Sequence, residues 1–346
     1  MAVDLSGGLD VAREFVLAKQ PSEPEMRDSV NVWLWDDGLD FGMPRIGIEA
    51  VGDQWDTHDV QCNIGLAGGK LLTLFEPGTV HDPQGADGKA RVLGAGPLSF
   101  ELVKPFVHWR MKLAGTAITT STTAQIAGDP PADGERVPVE IDIDLRSVVP
   151  PFENGTLRAE AGKVMAEQEE GILMGGPRFE QLFRANGTFS VDGKTHALNG
   201  GGLRIRRTGL RRIARFWGHA WQSAVFESGK AFGHLVYPPR ADGKPTYNEG
   251  YIFEGNGALI PARVVEAPWL RRMQPQGEDV SVVLESERGT VRIRGETQIS
   301  AFHSIPVTEN SDFPILQQCI ARYTWDGESA NGMLERSSLP SEVERS

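Results

Sequence analysis

Seven consecutive residues, Val139-Glu140-Ile141-Asp142-Ile143-Asp144-Leu145, alternate strictly between apolar and acidic side chains. Successive side chains of a strand point to opposite faces, so the run buries one face and wets the other when it forms part of an antiparallel sheet. Less strict versions recur at 30–35, 45–50, 98–103, 107–113, 189–191, 231–237, 251–253, 280–284 and 290–299, roughly the spacing of barrels or sandwiches. Forty glycines and 22 prolines, spread along the chain, supply the turns between them. Asp192-Gly193 accepts the positive φ of a tight hairpin, and Ser228-Gly229 and Arg288-Gly289 are comparable, so sequential antiparallel pairing follows. Helical periodicity is confined to 157–170, rich in Ala and Glu, and to a short stretch at 9–18.

A chain of 346 residues exceeds what one core usually organises. The 157–170 segment follows Pro150-Pro151 and precedes a new series of strands, which places a boundary near residue 165, between domains 1–165 and 166–346. The polar tail after Asp326 is expected to fray. The expected fold is all-β: two tandem antiparallel barrels with a short connecting helix.

A formal net charge of -12 disfavours nucleic acid and anionic membranes as partners. The basic run 204–215 does not alter this expectation, because its first arginines alternate across a strand pattern. Two distant cysteines, Cys62 and Cys319, fit a reducing compartment. Residues 1–20 lack the features of a signal peptide and no 18-residue apolar stretch occurs, so the expected location is cytoplasmic, with no membrane span. A homodimer is left open. The seven histidines show no ligand spacing, and neither a Gly-x-Ser-x-Gly nor a Gly-x-Gly-x-x-Gly motif occurs, so no metal and no cofactor are expected.

From about residue 175 the chain carries Phe179-Glu180-Gln181, the Asp192-Gly193 turn, Gly200-Gly201-Gly202, Arg204, Arg206, Gly209 and Arg211 in order. This succession resembles the start of the second domain in the hydroxyneurosporene synthase (carotenoid 1,2-hydratase)-like group of tandem lipocalin-fold proteins. Ile205, Arg207 and Thr208 depart from that pattern where it has Asp, Ser and Trp, so a role of the missing Asp does not transfer. Gly96-Pro97-Leu98 through Trp109, the 139–145 run and Pro150-Pro151 are similar to the closing strands of the family's first barrel. The resemblance implies two calycin-like barrels with an apolar ligand site; it does not fix a reaction.

The segment 215–226 is richest in chemistry. As a strand it sets Trp217, His219, Trp221 and Ser223 on one face, with Gln222 on the other. That face is either an aromatic ligand wall holding a titratable group or a core in which a backbone carbonyl satisfies the histidine. Arg204 and Arg206 share a face and need a carboxylate, for which Glu180 is the natural candidate. Tyr237, Tyr247, Glu249 and Tyr251 lie in the strands that follow; Glu249 is either a buried acid with a raised pKa or a hairpin-edge residue in water. In the first barrel, His108, Arg110 and Lys112 lie opposite the apolar register of their strand, and Trp33 and Trp35 oppose Val30, Val32 and Leu34. Both faces of that strand are therefore covered, one by the other barrel. Catalytic candidates are His219, Glu249, Tyr251, Glu180 and Arg204, and ligand-binding candidates are Trp217, Trp221, Gln222, Arg206, Tyr237 and Tyr247. The expected function is a cofactor-independent lyase or isomerase acting on a hydrophobic small molecule; the alternative is a non-catalytic carrier.

Overall fold

The computed structural model describes residues 3–128, 134–167, 178–211, 216–303 and 313–345. Sixteen of their strands close into two rings of eight. In the first, Met26–Asp36, Phe41–Val51, Thr57–Leu66, Lys70–Thr79, His108–Ser121, Arg136–Ser147, Arg178–Val191 and Lys194–Leu210 each pair antiparallel with the next, and the last returns to the first. In the second, Gly218–Val225, Lys230–Val236, Asn248–Glu254, Ile260–Glu266, Val282–Ser286, Gly289–His303, Ile315–Trp325 and Glu328–Ser338 do the same. The molecule is thus all-β, two lipocalin-like up-and-down barrels in tandem.

The sheets divide after Leu210 and not near residue 165. Only six strands of the first ring precede residue 165, and an eight-stranded ring whose side chains fill its interior needs the two that follow. The helix Ala159–Glu167 therefore joins the sixth and seventh ring strands; its expected continuation to 170 lies outside the described residues. Among the described residues no helix is long and apolar enough to cross a membrane.

The alternating run behaves as its period demands. Val139, Ile141, Ile143 and Leu145 enter the first core, while Asp142 and Asp144 face outward to Arg110 at 2.7 Å and His108 at 2.6 Å. Expected fraying after Asp326 does not occur. Asp326 and Gly327, with φ of 48° and 81°, form a tight turn into Glu328–Ser338, whose residues 331–338 are buried. The polar side chains there are inside because each face of the strand meets protein.

The barrels meet outer face to outer face, as expected for the strand with Trp33 and Trp35. A third apolar cluster, distinct from the two barrel cores, joins Trp33, Trp35, Leu203 and Ile205 to Trp221, Leu235, Tyr251 and Ile320. Trp33 and Trp221 pack edge to face with centroids 4.8 Å apart. A side chain could not replace hydrogen at Gly65, because its Cβ would lie 2.1 Å from Ile299 of the second barrel; at the neighbouring Gly42 it would lie 2.9 Å from Ile320. This pair of glycines lets the second sheet seat against the backbone of the first.

Two buried carboxylates tie irregular segments down. The expected N-terminal helix is one short turn, Val11–Glu14, whose Asp10 cap accepts from Ala12 N at 2.8 Å. Glu14, fully buried, accepts from Phe106 N at 2.9 Å, Trp109 Nε1 at 2.8 Å and Arg204 Nη2 at 2.8 Å. Glu249 of the second barrel accepts from Gly155 N at 2.6 Å, Leu157 N at 2.9 Å, Arg158 N at 2.8 Å and the Tyr247 hydroxyl, so it pins the turn leading into the helix.

Glu14→Ala leaves the Arg204 guanidinium buried without its carboxylate and is expected to lower unfolding free energy by about 3–5 kcal/mol, read from the urea midpoint at unchanged m. Glu249→Ala orphans three backbone donors and is expected to cost about 3 kcal/mol, with hydrogen-exchange protection lost at Gly155, Leu157 and Arg158. Protection unchanged in that variant would mean the turn holds by other contacts.

Candidate functional site

Strand register sorts the candidate residues between faces. Cross-strand partners share a face, and Glu180 pairs with Ile205 whereas Gln181 pairs with Arg204. Glu180 therefore belongs to the outer face with Arg178, Ile205 and Arg207, and the expected Glu180–Arg204 pair does not form. Arg204 instead enters the end of the first barrel, under Trp109 and against Glu14, with Gln181 Oε1 at 3.2 Å. Arg206 is beside it, paired with Asp28 and donating to Phe15 O at 2.6 Å. Both arginines brace the turn that covers that end. Gln222 likewise leaves the group: it points into the second barrel, donating to Val280 O and meeting His234 Nε2, each at 2.8 Å.

The remaining candidates converge between the barrels. In the second sheet His219 pairs with Ser337, and Trp221 with Glu335, Leu235 and, through Leu235, Glu249. All face the first barrel. His219 is 2% exposed; its Nδ1 lies 2.8 Å from Ser337 Oγ and its Nε2 3.3 Å from Glu335 Oε1. Around it stand the rings of Phe216, at 5.5 Å, and Tyr237, at 6.2 Å, followed by Trp217 and Tyr247 against Tyr237. The histidine is thus held by side chains rather than by the backbone carbonyl of a plain core position.

Glu335 was not foreseen, and it organises the layer. Its Oε2 accepts from Gln318 Nε2 at 2.9 Å, and Gln318 Oε1 accepts from Asn63 of the first barrel at 3.2 Å. Burial alone would push its carboxyl up, but His219, Arg45 and Gln318 prevail and hold it at about 2. It is an anion in the seam. The signal that could have found it is the Asp326-Gly327 turn, which marks the following residues as a strand despite their polarity.

Glu180 is the opposite case. Burial pushes its pKa up to about 7, with Glu249 and Glu335 acting in the same direction and Arg178 and the Trp221 hydrogen bond against it. Trp221 Nε1 donates to Oε2 at 2.6 Å, while Oε1 is buried with no hydrogen-bond partner. Tyr251, next to Glu180 and packed on Phe152 at 5.4 Å, has a phenol pushed well above its ordinary range by burial and by that carboxylate. Glu249 is near this group, yet both of its oxygens are occupied by the turn 155–158 and Tyr247.

Four arginines share the first barrel's side of the layer. Arg178 and Arg207 are register partners, Arg178 lies 4.5 Å over the Trp221 ring, and Arg45 donates to Asn31 Oδ1 at 3.2 Å. Arg211 holds both oxygens of Glu49 at 3.0 Å, and that carboxyl is kept at about 2 because its cationic neighbours outweigh burial. The layer reaches the surface at Arg45, which is partly buried, and at Phe75, 45% exposed and stacked 5.5 Å from His303. Among the described residues no group of three His, Cys, Asp or Glu gathers as a metal site.

Comparison with known proteins gives a fold and a family. No curated protein sequence matches the chain. A solved structure from Nitrosomonas europaea that carries the provisional name AttH aligns at 12% identity over 93% of this chain and 98% of that one, with a TM-score of 0.54. This shows that the fold is shared along nearly the whole length. Kievitone hydratase from Nectria haematococca aligns at 9% identity over 94% of each chain, TM-score 0.49, and CghA in complex with Sch210972 at 9% over 91% and 88%, TM-score 0.47. Residues 16–340 match the family model described as domain of unknown function DUF7064, and the chain belongs to that family.

Proposed function

We propose that this chain is a cofactor-independent lyase or isomerase for a hydrophobic small molecule of the terpenoid, steroid or aromatic kind, and that its reacting groups lie between the barrels. The observation that carries this is Glu180: a carboxyl with a pKa of about 7, one oxygen fixed by Trp221 and the other left without a partner in an aromatic layer. Adding or removing water, or shifting a double bond, requires one group that gives a proton and another that takes one, with proton affinities set apart by environment. Glu180 carries a transferable proton near neutrality, and Tyr251 beside it keeps its proton and can donate a hydrogen bond. His219, oriented between Glu335 and Ser337, supplies the second acid-base group. The aromatic rings about His219 exclude water and bind the apolar body of the substrate.

Kinship with the hydroxyneurosporene synthase-like group is part of this proposal, and the hydratase name of one structural neighbour agrees with it. Ile205 bears on the choice of acid. It stands across the strand pair from Glu180, at the position where that group's motif has Asp, so Glu180 is the carboxyl that remains at this spot. The same substitution favours the alternative, a carrier that keeps the apolar layer without turnover.

Glu180 gives a test that needs no substrate. Its folded pKa lies above the ordinary 4.5, so the folded state keeps a proton that the unfolded chain gives up, and stability falls as pH rises through about 7. Glu180→Gln cannot ionise. Its stability relative to the unchanged protein should rise from near zero at about pH 4 to on the order of 3 kcal/mol at about pH 8, measured by denaturation across that range. A flat difference would mean that Glu180 is ionised or solvated in the fold. Once a screen of hydrophobic metabolites identifies a substrate, Glu180→Gln and His219→Ala should each lower kcat roughly 10²–10⁴-fold with little change in KM; ligand binding with no rate to lose would establish the carrier instead.

A further inference from the structure

Arg207 is 3% exposed, yet among the described residues its guanidinium forms no ion pair and no hydrogen bond, and its Nε is buried and unpartnered. Its register partner across the strands is another buried arginine, Arg178, whose polar contact is Asn154 Oδ1 at 3.3 Å. Nearby carboxylates are committed elsewhere. Glu49 is held by both oxygens on Arg211 with Arg27 at 3.7 Å, and Glu335 is held by His219 and Gln318. Glu180 shares the face with Arg178, but its unpaired oxygen forms no bond to it. Burial, the neighbouring arginines Arg211, Arg178 and Arg45, and only partial relief from Glu49 press the Arg207 pKa well below its ordinary value.

Two guanidiniums side by side in an apolar layer are costly unless an anion joins them. The planar fork of each donates to two oxygens at once, which matches a carboxylate. A singly charged carboxylate suits the layer better than a phosphate dianion, because Glu335 and Glu49 already place negative charge there. The aromatic rings of Trp221 and Tyr251 adjoin the pair through Arg178 and Glu180.

We propose that Arg178 and Arg207 bind the carboxylate of an amphipathic organic acid whose apolar body lies among the aromatic side chains between the barrels. This rests on the reading that the layer takes a hydrophobic ligand, and it narrows that ligand to an acid. The arginines hold and orient it and leave proton transfer to Glu180 and His219.

The test compares decanoate with decanol, two probes with the same chain and different ends, by isothermal titration calorimetry. Decanoate is expected to bind at least about ten-fold more tightly, and Arg207→Met to bring the two within about two-fold while decanol affinity is kept. Arg178→Gln should also shrink the preference, which keeps the inference testable if the Arg207 variant fails to fold by circular dichroism. Glu180→Gln, which removes the proposed acid, should retain the preference. Equal binding of both probes, or a preference that survives in Arg207→Met and Arg178→Gln, overturns the carboxylate assignment and leaves the apolar site standing. Binding of neither probe overturns both.

Discussion

Seating two closed barrels against each other along their outer faces forces strands near the seam to be buried on both sides. A lone barrel alternates between a dry inside and a wet outside, as Arg136–Ser147 does. At the seam the same period carries two different dry environments. Val30, Val32 and Leu34 fill the first barrel while Trp33 and Trp35 fill the space between barrels, and in the second barrel Ala220 and Ala224 look inward while Trp221 looks out. The barrel interiors are packed, and the first has its end covered by Glu14 and its arginine partners. Such an arrangement moves the chemically versatile positions from the barrel interiors to the seam.

Charge in that seam is sorted by partners rather than by depth. Glu335 and Glu180 are both buried and both face the space between sheets. One meets His219, Arg45 and Gln318 and stays ionised; the other has one indole donor, an arginine that forms no hydrogen bond to it and two carboxylate neighbours, and burial holds its proton to about 7. Two carboxyls driven apart in proton affinity by their surroundings are a recurrent arrangement where acid-base chemistry is done.

Much of this was legible in the amino-acid order. The strict alternation at 139–145, the Asp-Gly turns and the Trp and His of the 215–226 segment specify barrel strands, and the resemblance around Phe179 to Arg211 implies the tandem arrangement that the first solved neighbour shares. Strand pairing between distant segments was not legible. Proximity in sequence pairs Arg204 with Glu180, but a one-residue difference in register puts Gln181 opposite it and sends its guanidinium to Glu14, 190 residues away. The tail misleads for a related reason: Glu335, Arg336 and Ser337 look like solvent-facing residues until each is given a partner on another strand. Ring closure also set the sheet boundary at a place that composition does not mark.

Ring closure has a consequence for how the chain emerges during synthesis. The first barrel cannot close until Lys194–Leu210 has been made, since that strand lies between Met26–Asp36 and Arg178–Val191. Once closed, it presents Trp33, Trp35, Leu182 and Leu203 outward, with Gly42 and Gly65 still waiting for Ile320 and Ile299. Until more than a hundred further residues have been added, the closed first barrel carries an uncovered aromatic patch beside Arg207. The half-finished molecule is thus most exposed to misassociation at the surface that later becomes its interior.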